Sequence, residues 1–193
     1  MTRIIAGTAG GRRIAVPEGR TTRPTSDRAR EGLFASVLSE LGSFTGVAVL
    51  DLYAGSGAIG LEALSRGARH ALLVEADRRA SAVIRRNIAE LGLTGARLVT
   101  DRVERALAQG PAGERYDLVV ADPPYAVTDA EIADVLRALR DHGWLAPDAL
   151  LVVERASRGN GPHWPEGYEP GRVRRYGEAA LWYGRAASLP GQG

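Results

Sequence analysis

Beyond residue 46 the chain switches regularly between short apolar runs and longer stretches whose apolar residues recur at spacings of three and four. The runs at 47–52, 71–75, 97–100, 116–121 and 149–154 predict strands, because each is four to six residues long and all but 97–100 are mostly Val, Leu and Ala. Between them, 57–66 predicts a helix with Leu61 and Leu64 inward, and 77–91 a second helix closed by Gly92. A short helix runs through Leu107, and another covers 129–142. Strands alternating with helices predict an α/β domain with a mostly parallel, twisted sheet covered on both faces.

The two ends depart from this rhythm. Residues 3–6 and 12–16 read as short strands around Gly7, Gly10 and Gly11, a β-hairpin. A stretch rich in Gly, Pro and Thr follows to Thr25, and polar capping residues from Thr25 to Asp27 then open a helix. Leu33, Phe34, Val37, Leu38 and Leu41 are expected on one face of that helix, and Gly42 ends it. Near the other end, 172–176 and 180–184 flank Gly177-Glu178 and predict an antiparallel hairpin. The expected division is a hairpin arm at 1–22, one domain at 23–186 and a loose tail at 187–193.

Composition narrows the chemistry by exclusion. At 193 residues the chain suits one domain with a proper core. It has no cysteine, so disulfides, thiolate nucleophiles and Cys-based metal sites are out, and three scattered histidines make no metal site expected. The amino end lacks the apolar stretch of a secretory signal, and no run approaches a membrane span, so the expected address is the cytoplasm. Net charge is only +2, but residues 1–30 hold seven Arg against Glu18 and Asp27, whereas 51–134 hold ten Arg against 13 acids. A basic amino end on an acidic body fits an arm that meets polyanion beside a pocket that prefers a cation. A merely solvated basic terminus fits the same count.

The first predicted strand runs into Asp51-Leu52-Tyr53-Ala54-Gly55-Ser56-Gly57-Ala58-Ile59-Gly60. Residues 55–60 match G-x-G-x-x-G, and Glu75 ends the next strand 18 residues after Gly57. A dinucleotide would set its pyrophosphate at this turn, where Asp51 opposes an anion. S-adenosylmethionine has no phosphate and carries a sulfonium and an ammonium group, so the acid favours it. On that reading Asp51, Tyr53, Ala54, Gly55, Ser56 and Gly57 form the cofactor turn. Glu75, with Ala76 beside it, accepts from the ribose hydroxyls. Asp101 and Arg102, after the third strand, lie at the adenine, although an acid there serves equally well as a helix cap.

The fourth strand ends in Asp122-Pro123-Pro124-Tyr125. Two prolines forbid continued pairing, so a rigid turn is expected, yet a turn needs neither the acid before them nor the aromatic after. An exocyclic amino group on a nucleobase is a poor nucleophile because its lone pair is conjugated with the ring. Two acceptors drawing on its N–H bonds free that pair for attack on a sulfonium methyl. The Asp122 carboxylate and the Pro123 carbonyl are the two acceptors, Pro124 makes the unit rigid, and Tyr125 offers a face for an unstacked base. Methylation acidifies the nitrogen, so catalysis reduces to positioning and charge placement.

In this position the tetrapeptide resembles the D/N-P-P-Y/F signature of amino-nitrogen methyltransferases. Three further stretches are Arg3-Ile4-Ile5-Ala6-Gly7, Arg23-Pro24-Thr25-Ser26-Asp27-Arg28-Ala29-Arg30-Glu31 and Arg175-Tyr176-Gly177-Glu178. In this order they are similar to the bacterial 16S ribosomal RNA guanine-N2 methyltransferase family, over residues 3 to 185. The resemblance implies a Rossmann-like class I methyltransferase fold, S-adenosylmethionine as cofactor with S-adenosylhomocysteine as product, no metal and no membrane. It also implies a guanine N2 target in 16S rRNA within the assembled or assembling small subunit, acted on by a monomer. The hairpin arm would grip RNA through Arg3, Arg12, Arg13 and Arg20, with Arg28 beyond it, and Arg23 and Thr25 would help to hold the cofactor. Arg23 and Arg28 are equally placed as ion-pair partners of Glu31 or Asp27.

Three rivals use parts of the same pattern. An adenine-N6 methyltransferase would share the tetrapeptide, but nothing here is long enough for a separate DNA target-recognition domain. A nicotinamide-dependent oxidoreductase is opposed by Asp51, by the proline turn and by the lack of any lysine for a Tyr-Lys relay. A non-catalytic RNA chaperone would not need the full motif set.

Overall fold

The computed structural model describes residues 2–19 and 24–187, with the side chains of 24–26 left out. Its elements are β1 (Thr2–Arg3), β2 (Arg13–Ile14), α1 (Pro24–Leu41), β3 (Ala48–Leu52), α2 (Ala58–Ser65), β4 (His70–Glu75) and α3 (Arg78–Leu91). They continue as β5 (Ala96–Thr100), α4 (Val103–Ala108), β6 (Tyr116–Ala121), α5 (Asp129–Asp141), β7 (Leu145–Ala156), β8 (Tyr168–Tyr176) and β9 (Ala179–Ala186). Seven strands form one sheet in the order β5-β4-β3-β6-β7-β9-β8. The first five pair in parallel, while β9 runs antiparallel to both β7 and β8. This is a Rossmann-like α/β fold with antiparallel final strands.

Side chains alternate across the sheet, so each strand feeds two cores. Val49, Leu73, Leu118, Val120, Val152 and Leu181 pack with Leu33, Phe34 and Leu61 on one face. Leu50, Leu52, Val74, Val119, Ala121 and Val153 pack with Leu107, Ile132 and Leu136 on the other. The chain reverses direction across the sheet at β3, whose neighbours are β4 and β6. Open sheets of this kind bind ligands outside the carboxyl ends of the strands at such a switch point.

Several expectations are refined. The amino-terminal strands are two residues each, pairing Thr2 with Ile14 and Arg3 with Arg13. Leu38 is 41% exposed, because α1 buries the stripe through Leu33, Phe34 and Val37 and Leu38 lies beyond its edge. The last parallel strand extends to both sides of the predicted 149–154, where pairing with β9 continues to Ala156. Gly42 ends α1 as expected, with a φ of 78° and its N–H donating to the Leu38 carbonyl.

The hairpin is fastened to the body. Glu62 of α2 is fully buried and accepts from Ile5 N at 2.6 Å, Ala6 N at 3.1 Å and Arg66 Nε at 2.9 Å. Ser65 Oγ donates to the Ala6 carbonyl and accepts from Ala9 N. Gly7, at a φ of 84°, lies so close to the Ser65 carbonyl that an added Cβ would fall 1.9 Å from its oxygen. Asn87 of α3 pairs with both backbone groups of Ala15 and also donates to the Ser56 carbonyl, joining the segment after β2 to the glycine turn. Among the described residues no helix is long and apolar enough to cross a membrane.

Candidate functional site

The turn after β3 is shaped by left-handed backbone at Tyr53, Gly55 and Gly57, with φ of 58°, 61° and 83°. A side chain at Gly57 would also press on Leu73, and one at Gly60 would sit 3.0 Å from Leu73 and 3.3 Å from Asp51 Oδ2. The left-handed φ calls for glycine at 57, and the absence of a Cβ at 60 lets α2 sit close to the sheet without displacing Leu73. Ala54 N donates to the Val74 carbonyl, which ties the turn to the end of β4.

Glu75 stands where that tie is made. One of its carboxylate oxygens accepts from Gly55 N and the other from Asp77 N, both at 2.8 Å. Each oxygen retains a second lone pair, and Glu75 and Ala76 line the larger cavity described below.

Asp51 behaves differently from the expectation that it faces a cofactor's cation. Period-two alternation turns its side chain from β3 toward α2, where Oδ2 accepts from Gly60 N at 3.0 Å. It is 2% exposed and is not among the residues lining either cavity described below. Burial raises its pKa well above the ordinary aspartate value; the Gly60 bond opposes this, and the charges of Asp122 and Glu75 add to it. Its influence on a ligand is by field rather than contact.

After β5, Asp101 accepts from Arg102 N at 2.8 Å and lies 3.6 Å from Arg105 Nε. Its own N–H donates to the Glu75 carbonyl, so the backbone beside the predicted adenine site is held to Glu75. Arg102 lines the cleft, whereas Asp101 does not.

The Asp122–Tyr125 turn leaves β6 beside the glycine turn, with Asp122 N 3.4 Å from the Leu52 carbonyl. Pro123 is buried, and Tyr125 is 70% exposed, a large aromatic presented to solvent at the mouth of the cleft. The turn is braced from behind. Val127 N donates to the Pro124 carbonyl, and a capping box between Thr128 and Glu131 starts α5. Arg155 of β7 donates to the Val127 carbonyl and to Asp129.

Two cavities meet here. One, of about 220 Å³, lies among the segment after β2, α1 and the glycine turn, and includes Pro17, Arg30, Gly55 and Ser56 in its lining. The other, of about 750 Å³, runs from Glu75 and Arg102 to Pro123, Pro124 and Tyr125. Tyr53, Asp122 and Glu154 line both. Among the described residues the Tyr53 hydroxyl is buried without a hydrogen-bond partner, and desolvation pushes its pKa up to about 12. Among the described residues no group of His, Asp or Glu is arranged to hold a metal.

Of the arginines predicted to meet RNA, Arg3, Arg13 and Arg28 are exposed. Arg12 is committed to the end of α3, donating to the Glu90 and Leu91 carbonyls. Arg20, Arg23 and the side chain of Thr25 lie outside the described residues. In the same segment Arg30 reaches the cavity. It is 8% exposed, donates to Thr2 Oγ1 and to the Arg3 carbonyl, and leaves Nε buried with no partner among the described residues. Sequence reasoning passed over Arg30 and, more consequentially, Glu154. The signal for Glu154 was present as an acid closing an apolar strand, the same pattern that marked Glu75.

The site's geometry agrees with what the chain is similar to. The profile of a family described as conserved hypothetical protein 95 matches residues 2–185. The ribosomal RNA small subunit methyltransferase D of Escherichia coli is 38% identical over 181 residues, spanning 92% of this chain and 86% of that protein. The chain belongs to this small-subunit ribosomal RNA methyltransferase family. Among solved members, the Escherichia coli protein yhhF superposes with a TM-score of 0.82 at 34% identity, covering 97% of this chain and 98% of its own. A hypothetical protein of Thermus thermophilus superposes at 0.76 with 32% identity, covering 98% and 100%. The family match thus spans the hairpin, the glycine turn and the proline turn alike.

Proposed function

We propose that the protein transfers a methyl group from S-adenosylmethionine to the exocyclic N2 amino group of a guanine in 16S rRNA of the small ribosomal subunit. The observation that carries this reading is the Asp122–Tyr125 turn, set at the carboxyl end of β6 against the glycine turn, with Asp122 lining both cavities. The residues fit the cofactor. The glycine turn, left-handed at Gly55 and Gly57, presents bare backbone beside the smaller cavity, and Glu75 offers a carboxylate at the end of β4. Ala76 and Arg102 would flank the adenine, and the buried, unpartnered Nε of Arg30 suits a carboxylate in the smaller cavity. Acids around the turn disfavour a pyrophosphate.

When bound, the cofactor supplies an electrophilic methyl on a cationic sulfur. The protein's own part is to hold and polarise the nucleophile. The Asp122 carboxylate and the Pro123 carbonyl accept from the amino group, which favours a pyramidal nitrogen, and Tyr125 stacks on the base. These acceptors gain strength as nitrogen becomes positive, so they act on the transition state more than on binding. Arg3, Arg13 and Arg28 supply exposed positive charge for phosphate contacts.

Purified small subunits from cells lacking the gene should accept labelled methyl from the cofactor, and nucleoside analysis should identify N2-methylguanosine. N6-methyladenosine as the product would replace this reading with the adenine one.

A further inference from the structure

Glu154 sits on β7 at the point where its neighbour β6 gives way to Asp122. The parallel register pairs Val120 with Val152 and Ala121 with Val153, so the next pair in line is Asp122 and Glu154. Alternation directs both to the sheet face that carries Val120, Val152 and Leu181. The two carboxyl groups line the same two cavities, and the Asp122 charge acts directly on Glu154. Two carboxylates cannot hydrogen-bond unless one carries a proton.

We propose that Glu154 is a positioning residue of the methyl-transfer site: in its protonated form it donates to one oxygen of Asp122 and leaves the other oxygen to accept from the target amino group. This rests on the reading of Asp122 given above.

The surroundings favour a shared proton over two charges. Burial and the neighbouring Asp122 carboxylate push the Glu154 pKa up to about 8. The other acids facing the cavities are Asp27 from α1, Glu75 from β4, Asp77 before α3 and Glu104 and Glu131 from the second cavity's rim, with Asp51 behind the glycine turn; all oppose further negative charge. The facing cations are engaged elsewhere: Arg155 with Val127 and Asp129, Arg30 with Thr2, Arg3 and, at 3.8 Å, Asp27, while Arg102 at the far end lies 3.9 Å from Glu104. Tyr53 contributes a neutral hydroxyl, and β9 contributes Leu181, the register partner of Glu154.

The step balances. The nitrogen lone pair forms the new bond to the methyl carbon, and the carbon–sulfur pair stays with sulfur. The cationic nitrogen then gives a proton to the free oxygen of Asp122 and recovers its lone pair. The carboxyl pair passes from one shared proton to two and returns the extra one to water through Asp122, which is exposed.

Since the pKa is raised, the working form is present below about pH 8 and is lost as pH rises through that value. Single-turnover methylation of purified small subunits, run from pH 6.5 to 9.5, tests this with three proteins. The parent should lose rate above about pH 8. Glu154→Gln keeps a donor but cannot ionise, so its alkaline decline should vanish. Glu154→Ala should lose about 10- to 100-fold in kcat, with cofactor Kd and RNA KM near parent values, and the glutamine variant should recover most of that loss. An alanine variant as fast as the parent, or a glutamine variant that keeps the alkaline decline, overturns the proposal. Carboxyl carbon NMR of the substrate-free protein gives a reading independent of turnover: Glu154 should titrate near pH 8. Titration in the ordinary glutamate range overturns the proposal alone. A parent that methylates no nucleobase amino nitrogen overturns the role assigned to Asp122, and the proposal with it.

Discussion

Glu62 is the residue on which attachment of the amino-terminal hairpin depends, and replacing it tests whether that hairpin is part of the folded body. Its carboxylate is fully buried and holds three donors: two backbone N–H groups of the hairpin and the Arg66 guanidinium. Glu62→Ala leaves all three without their acceptor and strands a charge, for which a cost of roughly 3–5 kcal/mol is expected. Glu62→Gln keeps one acceptor oxygen but points an N–H₂ group at a donor, so roughly 1.5–3 kcal/mol should be lost. Against a total stability of about 5–15 kcal/mol, either loss is large. At about 2–4 °C per kcal/mol for a domain of this size, Glu62→Ala should lower Tm by about 6–20 °C. Calorimetric melting measures this directly. Calorimetric cofactor titration should show weaker binding as well, because Thr2, Val16 and Pro17 line the smaller cavity. A Tm within about 2 °C of the parent would refute the argument and make the hairpin a loosely held appendage.

Three further outcomes follow from the site. Asp122→Ala should bind cofactor and RNA nearly normally yet lose on the order of 100-fold or more in kcat, with Asp122→Asn retaining more, as read by single-turnover methylation. Glu75→Ala removes the acceptor of Gly55 N and Asp77 N together with the proposed ribose contact, so calorimetry should show cofactor affinity weaker by at least about 1.5–3 kcal/mol. Replacing Arg3 and Arg13 by Ala should reduce the salt dependence of RNA binding by about one unit of slope per arginine and leave cofactor affinity unchanged. Arg12→Ala should instead destabilise the fold, since its bonds go to the end of α3.

What the sequence made legible was chemistry carried by contiguous residues at strand ends. The glycine turn, Glu75 and the Asp122–Tyr125 turn each announce themselves within ten residues, and the α/β alternation places all three at the same edge of a parallel sheet. What it hid depended on tertiary placement. Arg12 reads as one more cation of a basic arm until docking on α3 gives it two carbonyls. Asp51 reads as a cofactor ligand because it precedes the turn, but the pleat directs it to the Gly60 N–H. Glu154 closes an apolar strand as Glu75 does, but its meaning comes from a β6–β7 register that no stretch of sequence contains.

The acids at this site also argue for the sign of its ligand. Asp51 and Glu154 are both held above their ordinary pKa values, chiefly by burial and additionally by Asp122, and for Asp51 also by Glu75. A fold under selection for stability alone would separate these groups or pair each with an arginine, and the chain has 25 arginines to use. Instead Arg155 braces the proline turn and Arg30 braces the hairpin, and neither pairs with these acids. Local conflict of this kind is expected where function requires it. An anionic cofactor would deepen the conflict, and a positively charged one relieves it. The developing charge on a methylated amino nitrogen relieves it at Asp122, where the reaction places it. The arrangement therefore favours cation-forming chemistry over hydride or phosphoryl transfer, on electrostatic grounds that do not depend on the family match.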